Sequence, residues 1–489
     1  MKKLSFFFVF LSLSQYLFSQ NVGFKYTYSL PNKVFFANVI ELENGNYLAT
    51  TNELDSFGIL VSKSKSKILT ISKLGRLVDS LIFQDSVKSF RIDHVVKTGY
   101  GYAVIGEMKQ NRTAYMWFVI LDNQFRIVRQ YFENTVSDVL FVNKYTIDKD
   151  STLVVFSYSG SFNGSSFRRT NYCGAKIDKF GNRTLFTKLA KVSWFFDIFE
   201  RKDSSGYVVA EFGSWMYLDT MLQYRYNVSF ISDSVSSLDQ AALLRKTDTS
   251  YWYSGRGSLR DPSTNWSLFL SEIGQSGKFR NIKFYKQTSR DTISISAIAR
   301  GIDITKDKRF IYWAGTKNYD QDYYYASPDK RSWFALTKID TATNTIWRKD
   351  YGGDAYYVLY GLIATSDGGC LMYGSRYDYN NEFRTDGVII KVDANGVLNS
   401  TTTIPMAQLN ILAFPNPSNG QLSFKVPPSV FGQIDLAVFD ISGKLVYQKK
   451  EAALSETFDL SNLPNGNYIY QIFQDGTPLS VGKWQKIGN

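Results

Sequence analysis

Side chains suited to acid–base or nucleophilic chemistry are few in this chain. His94 is the single histidine in 489 residues, so a metal site built on several imidazoles is excluded. A Ser–His–Asp arrangement would have to use His94, which lies in a strand-like run before Lys97-Thr-Gly99, and no G-x-S-x-G offers an elbow nucleophile. His94 therefore reads as structural. No G-x-x-x-x-G-K-[ST] run is present to cradle a phosphate. Asp320, Asp322 and Asp329 lack the spacing of a calcium-binding loop and read as solvated loop acids. No cofactor or metal is expected. Carboxylates from separate repeats meeting over a common axis would suit glycoside hydrolysis. A polysaccharide-active hydrolase or lyase of that kind is the alternative reading.

The favoured reading rests on tyrosine. Residues 315–332 hold Tyr319, Tyr323, Tyr324 and Tyr325, and residues 374–386 hold Arg376, Tyr377, Tyr379 and Arg384. Tyrosine offers flat, amphipathic contact area at low entropy cost, which suits sugars and protein surfaces. These eight are the candidate binding residues for a surface glycan or protein ligand. They are expected on exposed loops, where replacement would not disturb folding. The bland reading is that tyrosines fill loops in a chain with 33 of them.

The elements that must position these residues repeat. A turn rich in Gly, Asn, Asp or Ser precedes a short apolar strand at Tyr47, Tyr102, Thr152, Tyr207, Tyr251, Phe310 and Cys370, spaced 44 to 60 residues apart. Such a period marks propellers or arrays. Each copy reads as four antiparallel strands, and a chain with 37 Phe, 33 Tyr and 9 Trp suits half-buried strands. The fold class expected is all-β, a seven-bladed β-propeller followed by a small Ig-like β-sandwich. The run from Phe24 to Ser29 is expected to supply the outer strand of the seventh blade, with 397–403 the competing segment. The fifth copy is the weakest, its inner strand placed near Leu243 to Arg245, so a six-bladed ring with a damaged insert is the variant. Connections over 159–172, 315–332 and 374–386 read as long polar loops, where function concentrates.

Residues 1–19 read as a signal peptide: Lys2 and Lys3 precede an apolar run to Phe18, with cleavage placed after Ser19. No other stretch is apolar enough to span a bilayer as a helix. The repeat domain then covers 20–404. Cys173 and Cys370 fall in non-neighbouring repeats and read as buried, unpaired thiols. The net charge is +12, and from Phe414 onward six lysines balance six acids, so the excess belongs to the repeats. It is scattered, apart from Lys63-Ser-Lys65-Ser-Lys67 and Arg168-Arg169. Nucleic acid would call for a basic stripe interleaved with aromatics; no nucleic-acid partner is expected.

After Pro405 the period stops. The segment reads Phe414-Pro-Asn-Pro-Ser-Asn-Gly420, then Val438-Phe-Asp-Ile-Ser-Gly-Lys-Leu-Val446, then Asp459-Leu-Ser-Asn-Leu-Pro-Asn-Gly-Asn-Tyr468. Three strand patterns stand out, at 422–426, 434–439 and 468–473. In order and spacing these motifs resemble the type A C-terminal sorting domain of the bacterial type IX secretion system, over residues 405–489. The residues carrying the resemblance are Pro415, Asn416, Pro417, Gly420, Asp440, Gly443, Lys444, Leu463, Pro464, Gly466 and Tyr468. The resemblance implies export through the periplasm to the outer cell surface or beyond, with the secretion machinery as partner. Such a protein needs a signal peptide, which residues 1–19 supply independently.

Overall fold

The structure, a computed structural model, describes residues 23–30, 32–54, 64–111, 113–137, 139–163, 166–189, 195–211, 213–231, 235–259, 267–285, 295–296, 300–319, 330–379, 384–398, 411–425, 433–441, 444–474 and 477–488. The proposed signal peptide, the linker over 399–410 and the acids Asp320, Asp322 and Asp329 lie outside them. The described chain is all-β, with no helix. Accordingly, no helix among the described residues is long and apolar enough to cross a membrane.

The repeats fold into antiparallel sheets taken up in chain order. After β1 (Phe24–Tyr28), the first sheet holds β2 (Lys33–Glu41), β3 (Tyr47–Leu54), β4 (Ser64–Ile71) and β5 (Leu77–Phe83). The second holds β6 (Ser89–Thr98), β7 (Gly101–Gln110), β8 (Thr113–Leu121) and β9 (Ile127–Ser137). The third holds β10 (Val139–Ile147), β11 (Leu153–Asn163), β12 (Ser166–Ile177) and β13 (Arg183–Lys188). The fourth holds β14 (Phe195–Glu200), β15 (Gly206–Glu211), β16 (Ser214–Asp219) and β17 (Tyr224–Ser229). The fifth holds β18 (Val235–Arg245), β19 (Ser250–Leu259), β20 (Ser267–Gly274) and β21 (Phe279–Phe284). The sixth holds β22 (Ile295–Ser296), β23 (Ile302–Ile304), β24 (Phe310–Lys317), β25 (Trp333–Asp340) and β26 (Thr345–Gly352). The seventh holds β27 (Tyr356–Ala364), β28 (Cys370–Asp378) and β29 (Arg384–Val392), with β1 as its fourth strand.

Two expectations change here. The fifth sheet is complete, its inner strand running eleven residues from Val235. The irregular sheet is the sixth, whose inner strand is split into β22 and β23, both paired with β24. The "loop" over 159–172 is likewise a paired hairpin arm, with Ser159 opposite Asn171 and Asn163 opposite Ser166. Its polar composition, without apolar alternation, hid the strand from the sequence.

Turn chemistry explains why these strands end where they do. In the turn after β8, Asp122 accepts the Arg126 N–H on its side chain at 3.0 Å while its carbonyl takes the Phe125 N–H. Asp178, Asp219, Asp340 and Asp393 cap the equivalent turns in the same way. The fourth residue of each is left-handed: Phe125, Gly181, Leu222, Thr343 and Gly396. An Asp that binds its own backbone and a residue that tolerates positive φ are what a tight turn needs. A lysine two residues before the capping Asp, a Lys-x-Asp mark at Lys176 and Lys338, adds a second function. Lys176 Nζ donates to the Thr220 carbonyl (3.2 Å) and Lys338 Nζ to that of Ala394 (2.8 Å), each stitching its sheet to the next one's turn. Trp215 and Tyr351 do the same on Gly274 and Gly396.

The inner strands β2, β6, β10, β14, β18, β23 and β27 each lie against the next, and β27 lies against β2, so the ring closes. Six carry a bulge at a matching place, between Phe36 and Asn38, Ile92 and His94, Val142 and Lys144, Phe195 and Asp197, Asp239 and Ala242, and Leu359 and Gly361. Bulges add local twist and re-aim side chains. Apolar clusters fill the gap between each pair of sheets, as with Phe24, Tyr26 and Tyr28 against Phe36, Tyr47 and Leu69. Cys173 and Cys370 are buried and unpaired.

Asp148, in the turn after β10, gives the ring a pH dependence. It is buried, accepts the Tyr207 hydroxyl at 2.5 Å and has Lys176 Nζ at 3.9 Å. Burial outweighs both partners and pushes its carboxyl up to about 6. A carboxyl raised on folding contributes stability that is fully present below its unfolded pKa and lost as pH rises through about 6. Chemical denaturation should therefore show a loss of roughly 2 kcal/mol between pH 4 and 7 from this group. Asp148→Asn, which keeps an acceptor for Tyr207, should match the parent at pH 4 and exceed it at pH 7. Parallel profiles would refute the assignment.

Beyond the ring, the tail forms two sheets. One holds β30 (Leu412–Phe414), β31 (Gln421–Lys425) and β34 (Phe458–Asp459); the other, in the order β33-β32-β35-β36, holds β32 (Gln433–Asp440), β33 (Leu445–Ala453), β35 (Gly466–Gln474) and β36 (Thr477–Lys486). Ile411, Phe424, Val438, Phe458, Tyr470 and Trp484 pack between them. Strands β33 and β36 are not among the three read from the sequence, because the lysines and glutamines of these edge strands interrupt apolar alternation.

Candidate functional site

The seventh sheet positions the predicted binding residues. Arg376 and Tyr377 lie on β28 and Arg384 opens β29, so none of the three is a loop residue. Tyr377 is 3% exposed and Tyr319 8%, against the exposed contacts expected. Both pack with Tyr356 and Val358, and half-buried Tyr379 joins them. The alternation of the strand accounts for this, since Ser375, Tyr377 and Tyr379 share one face while Arg376 and Asp378 share the other. Tyr323, Tyr324 and Tyr325 lie outside the described residues.

The other face carries a charge network. Register sets Arg376 opposite Asp386 and Asp378 opposite Arg384. Arg376 reaches Asp378 at 2.9 Å, Asp354 at 3.2 Å and Asp386 at 3.5 Å, and Arg384 holds Asp386 at 2.8 Å. Burial pushes the Asp386 carboxyl up, opposed by Arg384 and Arg376. Asp354 is pulled up by burial but carried below the usual range by the Tyr357 hydroxyl, Lys25 and Arg376. Lys25, from β1, donates to the Tyr357 hydroxyl at 2.7 Å, and Tyr357 donates to Asp354 at 2.6 Å. Lys25, Asp354 and Tyr357 gave no local sign of this role. The alternation Arg376-x-Asp378 and Arg384-x-Asp386 did carry one, as opposite charges on one face of a hairpin.

A second polar cluster lines the inner strands. Lys144 and Tyr145 of β10, Asp197 of β14, and Arg300 and Asp303 near β23 interact electrostatically. Burial raises the Asp197 carboxyl, and Lys144 and Arg300 oppose it. The acids are engaged as backbone caps. Asp197 takes the N–H of Leu243 at 3.1 Å and of Ile198 at 3.0 Å, while Asp303 takes that of Ala364 at 2.9 Å and faces Arg300 at 3.6 Å. Asn38 caps Val95 in the same way at 3.1 Å. His94, buried beside this ring, sets its imidazole against Tyr145 at 5.0 Å. No group of three or more His, Cys, Asp or Glu among the described residues is arranged to hold a metal.

In the tail, the motif residues build the turns between strands. Asn416, between Pro415 and Pro417, donates to the Lys483 carbonyl at 2.8 Å and accepts the Gln485 N–H at 2.9 Å, so its side chain pairs with β36 like a strand. Gly420 has φ of +118°, and a Cβ there would stand 2.6 Å from Ser461 Cα. Asp440 caps the Lys444 N–H at 3.0 Å, in the turn type used throughout the ring. Leu463 packs on the tail core, and the Tyr468 hydroxyl donates to the Pro464 carbonyl at 2.6 Å, two residues beyond Gly466. Gly443 lies outside the described residues. Residues 412–484 match the family model described as the secretion system C-terminal sorting domain.

The tail is a type IX secretion sorting domain. This sorting domain directs export to the cell surface or outside the cell. No curated protein matches the chain. Solved structures similar to it include the NanB sialidase from Streptococcus pneumoniae, at 11% identity and TM-score 0.38, covering 74% of this chain and 69% of that one. The Pan2 WD40 domain from Neurospora crassa is similar at 8% identity and TM-score 0.41, covering 76% and 91%. A duf4221 family member from Bacteroides vulgatus is similar at 10% identity and TM-score 0.30, covering 76% and 95%. At this level of similarity nothing about function is transferred.

Proposed function

We propose that the protein is a non-catalytic binding module: a seven-bladed β-propeller, carried outward by an Ig-like sorting domain, that engages an extracellular glycan or protein. Export is the established part. The binding reading rests on one observation: Tyr319, at the start of the connection after β24, packs against Tyr377 near the end of β28 and Tyr379 at the start of the connection after it. The two tyrosine-bearing connections thereby start from one floor, with Arg376 and Arg384 paired to acids on the opposite face of β28 and β29. The engagement of Asp197 and Asp303 as backbone caps favours this reading over hydrolysis with axial carboxylates. The Tyr468–Pro464 hydrogen bond, resembling the tyrosine corner of Ig-like domains, supports the sandwich.

The burial of Tyr377 separates floor from contact surface. Replacing Tyr323, Tyr324 and Tyr325 with Ala should abolish capture on a panel of glycans and outer-surface proteins while leaving the thermal transition in place. Tyr377→Ala should instead destabilise by roughly 3–5 kcal/mol, as deletion of a buried aromatic does. Undiminished capture by the triple variant would sink this site, and release of sugar products during the screen would favour the hydrolase or lyase.

A further inference from the structure

We infer that the outer face of the β33-β32-β35-β36 sheet, an apolar patch edged with lysines, is the surface by which the sorting domain docks on the secretion machinery, against a partner surface of apolar centre and acidic rim. The inference rests on the sorting assignment and says which face performs it. In a two-sheet domain, inward residues are apolar and outward residues are polar. Here the inward side of β35 is Tyr468, Tyr470 and Ile472, yet Ile469 points outward and is 37% exposed. Register sets Leu445, Phe439, Ile469 and Lys483 in one row across the sheet. The next row on that face runs from Gln448 through Ala437 and Gln471 to Val481. Leu445 is 46% exposed, Val481 39%, and Ile441, just past the end of β32, 81%.

A contiguous aliphatic patch on a monomer marks an interaction site more often than chance exposure. Its surroundings specify the partner. Lys444 and Lys483 border it, with Lys450 at the far end of β33, and all three are exposed with no ion pair among the described residues. Of the neighbouring acids, Asp440 takes the Lys444 backbone N–H, Asp435 takes that of Glu451 at 2.8 Å, and Glu456 holds Lys449, so none is ion-paired to Lys444, Lys450 or Lys483. An apolar centre with unbalanced cations at its edge fits a partner of apolar centre and acidic rim. The opposite sheet exposes Leu412 and Phe414, but its partners across the strands are Lys425 and Ser423, which break any apolar row.

The experiment uses the full-length protein in an export-competent host, with surface and periplasmic fractions separated and the thermal transition of each purified variant recorded. Ile469→Asp with Leu445→Asp should reduce the surface fraction at least tenfold with the transition retained, while Leu412→Asp should export normally. Val481→Lys, on an edge strand that tolerates charge, supplies the same readout should the double variant not fold. Lys444→Glu with Lys483→Glu should also reduce export. If deletion of 405–489 blocks export while the double variant and Val481→Lys export normally, this face is not the docking surface. Export of the deletion itself would overturn the sorting reading instead. Normal export of the lysine variant would overturn the acidic rim.

Discussion

A chain that stops at Pro405 is expected to fold and to stay in the periplasm. The tail core is built from residues between Ile411 and Trp484 alone, and the ring's clusters from residues between Phe24 and Leu398. Each part thus has its own core, which is what makes a domain separable. Removing residues 406–489 takes away the segment that matches the sorting family and leaves the closed ring intact. The loss of surface protein should be complete, because no other element of the chain carries the sorting motifs. Fractionation with protease shaving measures it, and a thermal scan of the truncated protein should reproduce the upper transition of the parent. Surface delivery of the truncated chain would contradict the assignment.

The second large effect is expected from removing β1. Five residue pairs join it to β29, from Phe24 with Lys391 to Tyr28 with Gly387. Phe24, Tyr26 and Tyr28 are fully buried between the seventh and first sheets, and Phe24 covers Gly75 in the turn after β4. Each such aromatic buries about 150–250 Å². At about 25 cal/mol per Å² the three together contribute roughly 11–19 kcal/mol as an upper estimate. That is as large as the net stability of a typical domain, about 5–15 kcal/mol. A chain beginning at Lys33 should therefore lose its cooperative transition and aggregate through the uncovered edge of β29. A peptide spanning Phe24 to Ser29, added in trans, should restore it. An unchanged transition in the shortened chain would show that ring closure does not depend on this strand.

Much of the fold was legible because its determinants are local. Each Asp that caps a turn, and each Gly that turns left-handed, acts within five residues, so the repeats and their strands can be read off one copy at a time. The Lys-x-Asp marks were visible for the same reason, although their reach into the next sheet was not. The candidate site was legible only in part. Tyr319 of the sixth repeat does meet Tyr377 and Tyr379 of the seventh, but whether Tyr377 faces water or a neighbouring sheet depends on how β28 is flanked, which no local pattern records.

By itself the sequence determined that this protein is a repeated all-β chain and that its tail carries sorting motifs, since period-two runs, turn residues and motif order need no partner to be recognised. Tertiary structure chose β1, already favoured from the sequence, as the strand that pairs with β29, and alone decided that Lys25 and Asp354 join Arg376 and Arg384 in one network and that Asp197 and Asp303 serve as caps. The physical reason is distance along the chain. Lys25 and Tyr357 are 332 residues apart, and only the closing of the ring brings them within a hydrogen bond.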